Sequence, residues 1–236
     1  MNQTPGLELE VICCTVEDAI AASQGGATRL EVTVQLDLAG LTPPLELVRA
    51  ILQSVPVPAR VMLRERAGFE VGSPDDLESL RRLARQFATM GVDGLVTGYV
   101  KDGRLDVAGL RSILAEVPQT CFTIHHAIET TGDPLAALQS IREFGNADRC
   151  LVHGGYGTVK ERIARLQEYR KALGPERRLI LGGRLNLPSL PEFVRGTEIT
   201  EIHLGRAVRT PERTEGRVDA AKVRSAMRLL QSCCGR

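Results

Sequence analysis

The chemistry-bearing residues of this 236-residue chain gather where short aliphatic runs give way to loops. All four histidines lie at such places: His125 and His126 after TCFTI, His153 after DRCLV, and His203 within ITEIHLG. Imidazole titrates closest to neutrality of all side chains, so a histidine at the end of a strand is a natural carrier of protons. In an extended run successive side chains point to opposite faces, and counting along each run puts His125, His153 and His203 on the same face as Glu10, Glu31 and Arg64. His126 has the opposite parity and is expected on the helix side or in the loop. Carboxylates and imidazoles can take and return a proton, and a guanidinium can stabilise developing negative charge. Glu10, Glu31, Arg64, His125 and His203 are therefore the candidate catalytic residues. Taken one at a time, each could equally be a satisfied polar group at a strand end. Their convergence on one pocket is what points to function.

A second set could hold a negatively charged group. His153-Gly154-Gly155, Gly182-Gly183-Arg184 and Gly205-Arg206-Ala207 each follow an aliphatic run. Glycine lets backbone N–H groups approach a ligand closely, and arginine adds charge-assisted donors. His153, Gly154, Gly155, Gly183, Arg184, Gly205 and Arg206 are the candidate substrate-binding residues, although such glycines also serve plain tight turns. The inward histidines with Glu10 and Glu31 could in principle ligate zinc or another divalent ion. They come from different strands, and no H-x-x-x-H or C-x-x-C spacing specifies a geometry, so no metal ligand is assigned. Two longer loops could cover the site: ERAGFEVGS at 65–73 and RAVRTPERTEGR at 206–217.

The elements that must position these residues repeat eight times. Candidate strands span 7–12, 28–34, 59–64, 92–98, 120–125, 148–153, 178–183 and 199–205. Helical patterns follow near 15–24, 43–54, 74–90, 106–115, 134–144, 157–173, 187–195 and 218–231. Thr42-Pro43, Ser73-Pro74, Asp133-Pro134 and Asn186-Leu187-Pro188 put a capping side chain beside a first-turn proline. Alternating strands and helices require a parallel sheet. The strands alternate charged with apolar residues: Glu8 and Glu10 against Leu9 and Val11, and Arg29, Glu31 and Thr33 against Leu30 and Val32. An open sheet covered by helices on both faces should be apolar on both, and no G-x-G-x-x-G follows a strand. The expected fold is a single α/β domain over residues 7–232, a (β/α)8 TIM barrel with an unusually polar interior.

Composition narrows the partners. There are 30 basic and 29 acidic side chains, for a net charge of +1, so no single-signed surface exists to attract nucleic acid or an anionic membrane. Aromatic residues make up 3%, too few for stacking platforms. The start of the chain has no basic segment followed by an apolar run, and no stretch reaches bilayer length. A cytoplasmic protein is expected, with its six cysteines as thiols rather than a disulfide framework.

GGATRLEV (25–32) followed by AGLTPP (39–44) is the most specific part of a longer series. ARVMLRER (59–66), VDGLVTG (92–98), TIHHAIE (123–129), DPLAAL (133–138), LVHGG (151–155), GGR (182–184) and EIH (201–203) complete it. The series resembles the CutC copper-homeostasis family over nearly the whole chain. The resemblance implies a (β/α)8 barrel, a cytoplasmic homo-oligomer and copper-ion binding. Glu10, Glu31, Arg64, His125 and His203 match the family pattern, with Glu129 in place of an Asp. Where the family carries the strand-end cysteines proposed for Cu(I), this chain has Ile12 and Thr33, with Cys13 and Cys14 displaced along the chain. The residues themselves call for no cofactor; copper is implied by the resemblance alone. The leading expectation is an enzyme-like pocket for a small anionic metabolite, phosphorylated ones included. A copper-binding or copper-handling protein and a non-catalytic oligomeric scaffold are the alternatives.

Overall fold

The computed structural model describes residues 6–234. Eight parallel strands close into a barrel: β1 (Glu8–Cys13), β2 (Arg29–Val32), β3 (Ala59–Met62), β4 (Gly94–Thr97), β5 (Cys121–Ile124), β6 (Ala147–Val152), β7 (Arg178–Leu181) and β8 (Glu201–Leu204). Each strand pairs with its sequence neighbours, and β8 closes on β1. Eight helices follow in turn: α1 (Val16–Gly25), α2 (Leu45–Ser54), α3 (Pro74–Thr89), α4 (Val107–Leu114), α5 (Pro134–Ile141), α6 (Val159–Leu173), α7 (Leu190–Thr197) and α8 (Ala220–Cys234).

The helix starts follow from local chemistry. Ser73 caps α3 through a reciprocal box with Asp76, and Thr158 does the same for α6 with Glu161, satisfying N–H groups that a helix end leaves orphaned. Asp133 caps α5 ahead of Pro134. Asn186 caps a 3-10 turn, Leu187–Ser189, that leads into α7. Thr42 differs from expectation: its hydroxyl accepts the Arg64 N–H, and α2 starts at Leu45 after Pro44.

The apolar core lies between barrel and helices. Leu9, Val11, Leu30, Val32, Leu95, Phe122, Val152 and Leu204 face outward on the strands and are buried against the helix layer. The opposite parity faces the barrel interior, where branched aliphatics normally dominate. Here the lower interior is ionic. Arg29 donates to Glu10 (2.6 Å) and to Glu201 (2.9 Å), and Arg149 also donates to Glu201 (2.7 Å). Arg60, 1% exposed, grips Asp148 with two 2.8 Å bonds and reaches Asp93 and Thr123. The absence of a side chain at Gly94 makes this crossing possible, since a Cβ there would stand 2.6 Å from the Cys121 carbonyl and 3.2 Å from the Arg60 Nε.

Barrel register carries the ionic layer up to the site. Glu10 lies opposite Arg29 on one neighbouring strand and opposite His203 on the other. Two antiparallel ribbons decorate the loops, Val100–Lys101 with Arg104–Leu105, and Arg209–Thr210 with Arg217–Val218. No helix among the described residues is long and apolar enough to cross a membrane.

Candidate functional site

A cavity of about 240 Å³ opens at the carboxyl ends of the strands. Glu31, His125 and His203 line its floor, while His126, His153, Arg184 and Arg206 stand around it. A wider cleft of about 820 Å³ lies at the other end of the barrel, but several of its arginines are already engaged: Arg170 with Glu198, Arg178 with Glu201, and Arg177 with backbone carbonyls.

The floor is a chain of charges. His203 Nδ1 lies 2.7 Å from Glu10 Oε1, whose other oxygen accepts from Arg29. Burial alone would raise the Glu10 carboxyl, yet Arg29 and His203 overcome it and hold Glu10 well below the usual carboxylate range. Burial likewise disfavours charge on His203, but Glu31 and Glu10 outweigh it and raise the imidazole above its ordinary value. Glu31 has no cation in direct hydrogen-bonded contact; its Oε2 is 3.9 Å from His203 Nδ1 and has no hydrogen-bond partner. Burial pushes its pKa up to about 7, with His203 pulling down and Glu10 pushing further up. The donor atoms of Glu10, Glu31 and His203 lie within 4.8 Å of one another.

His125, just beyond β5, is 1% exposed and begins a 3-10 turn (His126–Thr130). Its Nδ1 accepts the Ala127 N–H at 3.2 Å, which leaves the proton of the neutral ring on Nε2. Nε2 is buried and without a partner. Burial, then His126 and Arg64, pushes this imidazole well below its ordinary pKa. The ring sits against Gly98, where a Cβ would be 2.8 Å from Nδ1. His126, expected on the helix side or in the loop, lies in the 3-10 turn after the strand and lines the cavity, because strand parity no longer holds there. Burial and then His153 and His203 lower it to about 4. Phe69 from the 65–73 loop packs on both rings, with centroids 5.3 and 5.5 Å away.

His153 borders the cavity, but Gly154 and Gly155 serve its turn. Glu129 accepts the N–H groups of His153 (2.7 Å) and Gly155 (3.0 Å), and the Gly155 N–H also reaches His153 Nδ1. A Cβ on Gly154 would meet the Arg162 carbonyl and Leu166 at 2.9 Å. Gly183 and Gly205 do border the cavity, beside the exposed Arg184 and Arg206. Arg184 stacks over Tyr156 at 4.1 Å from the ring centre.

Arg64 is buried, and the structure gives it different work from that expected of an anion stabiliser. Its guanidinium donates to the backbone carbonyls of Gly40 (3.0 Å), Gly68 (3.3 Å) and Leu38. It thereby ties the loop after β2 to the loop after β3. Two further arginines organise the rim. Arg162 donates to the carbonyls of His153, Gly183 and Arg184, clamping the exits of β6 and β7 together. Arg209 bonds Asp18, Ile12 and Gly216, so the arginine-rich 206–217 loop is anchored rather than solvated throughout. Sequence offered one signal for Arg162: it falls on the buried stripe of α6 with Leu166, Tyr169 and Leu173. The 33–44 loop, whose Leu36 and Ala39 line the cavity, carried no comparable signal.

Comparison with known proteins finds relatives of this chain by sequence and by structure. The CutC family model covers residues 7–208. A human protein described as a copper homeostasis protein cutC homolog is 32% identical over 204 residues, covering 84% of this chain and 72% of that protein. A family protein CutC of Xanthomonas campestris pv. campestris is 27% identical over 240 residues, 95% of this chain and 99% of its own. The crystal structure of a putative copper homeostasis protein CutC from Streptococcus agalactiae superposes with a TM-score of 0.78 at 18% identity, covering 84% of this chain and 98% of that one. With a barrel of this topology and a family match across most of its length, the chain belongs to the CutC family.

Proposed function

We propose that the pocket is an enzyme-like site for a small anionic metabolite, in which Arg184, Arg206 and the backbone at Gly183 and Gly205 hold the anion while Glu31 and His125 handle a proton. The observation that carries this reading is a pair of buried polar atoms without hydrogen-bond partners, Glu31 Oε2 and His125 Nε2, on two residues that line one cavity. A buried polar group without a partner costs roughly 1–3 kcal/mol. Two of them in a cavity rimmed by cations describe a place kept ready for a ligand. At about 240 Å³ the cavity falls below the roughly 300–1,000 Å³ of sites for drug-sized ligands, so the ligand is small.

A thermal-shift titration with inorganic phosphate tests the anion half, since a ligand that binds only the native state raises apparent stability. Phosphate is expected to raise the melting temperature of the native protein and to do so less in the Arg184→Ala/Arg206→Ala double variant. Equal shifts in both proteins, or none in either, would refute it.

The donor set does not fit the Cu(I) centre that the family name implies. Cu(I) selects thiolates and thioethers. Cys13 is buried on the helix side, and burial, then Asp18, raises its thiol well above the ordinary value. Burial pushes Cys14 up to about 11, with Arg209 opposing, so it too is a thiol near neutrality. Met62 is the single thioether on the cavity wall, and among the described residues the one group of three close His, Cys, Asp or Glu donor atoms is Glu10, Glu31 and His203, in which Glu10 is already shared by Arg29 and His203. The cytoplasmic location belongs to this proposal too; the five cysteines whose side chains are described form no disulfide with one another, in keeping with it.

A further inference from the structure

We infer that the ligand is a carbonyl compound bearing the anionic group, and that the site moves a proton at the carbon beside the carbonyl, with His125 Nε2–H donating to the carbonyl oxygen and Glu31 taking the proton. This deepens the proposed function and rests on its reading of the cavity.

The argument starts from the tautomer of His125. Its Nδ1 is occupied by the Ala127 N–H, so the ring can offer only a donor at Nε2, and no protein acceptor meets it. The ligand must bring an acceptor to that point. Held neutral by burial, the ring polarises an oxygen without giving up a full proton, which suits an oxygen that becomes an enolate. Glu31 supplies the second half. Its Oε2 has no donor, so in its ionised form it is a base on a side chain that lines the same cavity, and the His203 imidazolium beside it favours that form. The cavity wall holds no serine, cysteine or lysine among the described residues, and its one hydroxyl, Thr214, belongs to the 206–217 loop. Acid–base transfer is the chemistry that Glu31 and His125 can supply.

The step balances without an added oxidant or reductant. Glu31 takes H⁺ from the carbon next to the carbonyl, and the C–H pair becomes the new C=C bond. The carbonyl π pair moves to oxygen, where the His125 N–H stabilises it. Return of the proton to the same carbon gives exchange with solvent. Where the carbon carries a hydroxyl, transfer of that hydroxyl's proton and protonation of the neighbouring carbon shift the carbonyl along the chain.

The test is loss of carbon-bound hydrogen in D₂O, followed by proton NMR, with glycolaldehyde phosphate, dihydroxyacetone phosphate and ribulose 5-phosphate as probes. At least one probe is expected to exchange at least 100-fold faster than without protein. Glu31→Gln is expected to abolish that exchange. His125→Phe should lower it at least tenfold, and His125→Gln, which keeps an acceptor and a donor, should recover part of it. If phosphate raises the melting temperature in the wild type while no probe exchanges above the protein-free rate, the carbonyl inference is overturned and the anion site stands. If a probe exchanges but phosphate shifts nothing, the carbonyl chemistry stands and the anion site falls. Nitrogen-15 NMR of His125 gives a readout independent of any substrate. A neutral ring protonated on Nε2 is expected at pH 7, and a proton on Nδ1 or an imidazolium overturns the donor role even if variants misfold.

Discussion

Replacing Glu31 with Gln should stabilise the protein, and by an amount that grows with pH. Glu31 is 3% exposed, and its carboxyl is raised from 4.5 to about 7, with burial as the largest cause. A folded-state value above the unfolded one means that folding takes up a proton. The stability tied to that proton is fully present below about pH 4.5, is lost as pH rises through about 7, and changes no further above it. The interval between the two values corresponds to about 3 kcal/mol at about 1.4 kcal/mol per tenfold change in proton affinity. At pH 5 most folded molecules still carry the proton, so the remaining penalty is about 1 kcal/mol, and by pH 8 nearly all of it is present. Gln removes the charge at nearly constant shape. The stability difference between Glu31→Gln and wild type should therefore widen by about 2 kcal/mol or slightly more between pH 5 and pH 8, whatever the amide itself costs. Urea unfolding of both proteins at pH 5, 6, 7 and 8, read by circular dichroism, measures it. A difference that stays constant across this range, or narrows, would refute the reasoning from burial.

Arg60→Met takes the guanidinium from Asp148 and Asp93 and should cost about 1.5–3 kcal/mol, the range for hydrogen bonds to charged groups, because both carboxylates are partly exposed and Arg149 still pairs with Asp148; urea unfolding checks it. Arg64→Met should cost about 2–4 kcal/mol through its lost carbonyl contacts and speed proteolytic cleavage within 36–40 and 65–73. Limited proteolysis with mass spectrometry identifies the cuts. Cu(I) titration against a competing chelator should show no tight stoichiometric site, and Cys14→Ser should leave the titration unchanged. Phosphate protection should weaken in Arg162→Met, because the exits that carry Gly183 and Arg184 lose their common clamp.

Much of the barrel was readable because two periodicities agree. Leu9, Val11, Leu30 and Val32 mark the outward face of their strands, and the intervening charges could not face a helix layer without partners. Register then brought Glu10, His203 and Glu31 together as the parity of their strands required. Where the chain leaves the strand, parity stops carrying information. His126 turns into the cavity because a 3-10 turn begins there, and Arg64, two residues beyond β3, reaches loop carbonyls. Gly154 and Gly155 looked like ligand-binding backbone but are held by Glu129 and by the close approach of α6, contacts between segments that local spacing cannot reveal. The two long loops were found by length, while the loop at 33–44 was missed because Leu36 and Ala39 are carried to the cavity by left-handed backbone at Gln35 (φ 53°) and Ala39 (φ 64°), residue types that give no turn signal, ahead of Gly40.

Glu10 divides its two oxygens between Arg29 and His203, and this sharing fuses two parts of the molecule that are usually free to change separately. The ionic lower interior sets the field under the histidine, so a substitution at Arg29, Glu201 or Arg149, well below the cavity, would retune the proton affinity of Glu31 and His203 without touching the cavity wall. In such a barrel, foundation and instrument are one object. The exposed rim around Arg184 and Arg206 can change without disturbing this network, whereas repacking the interior for stability would alter the proton affinities on the cavity floor.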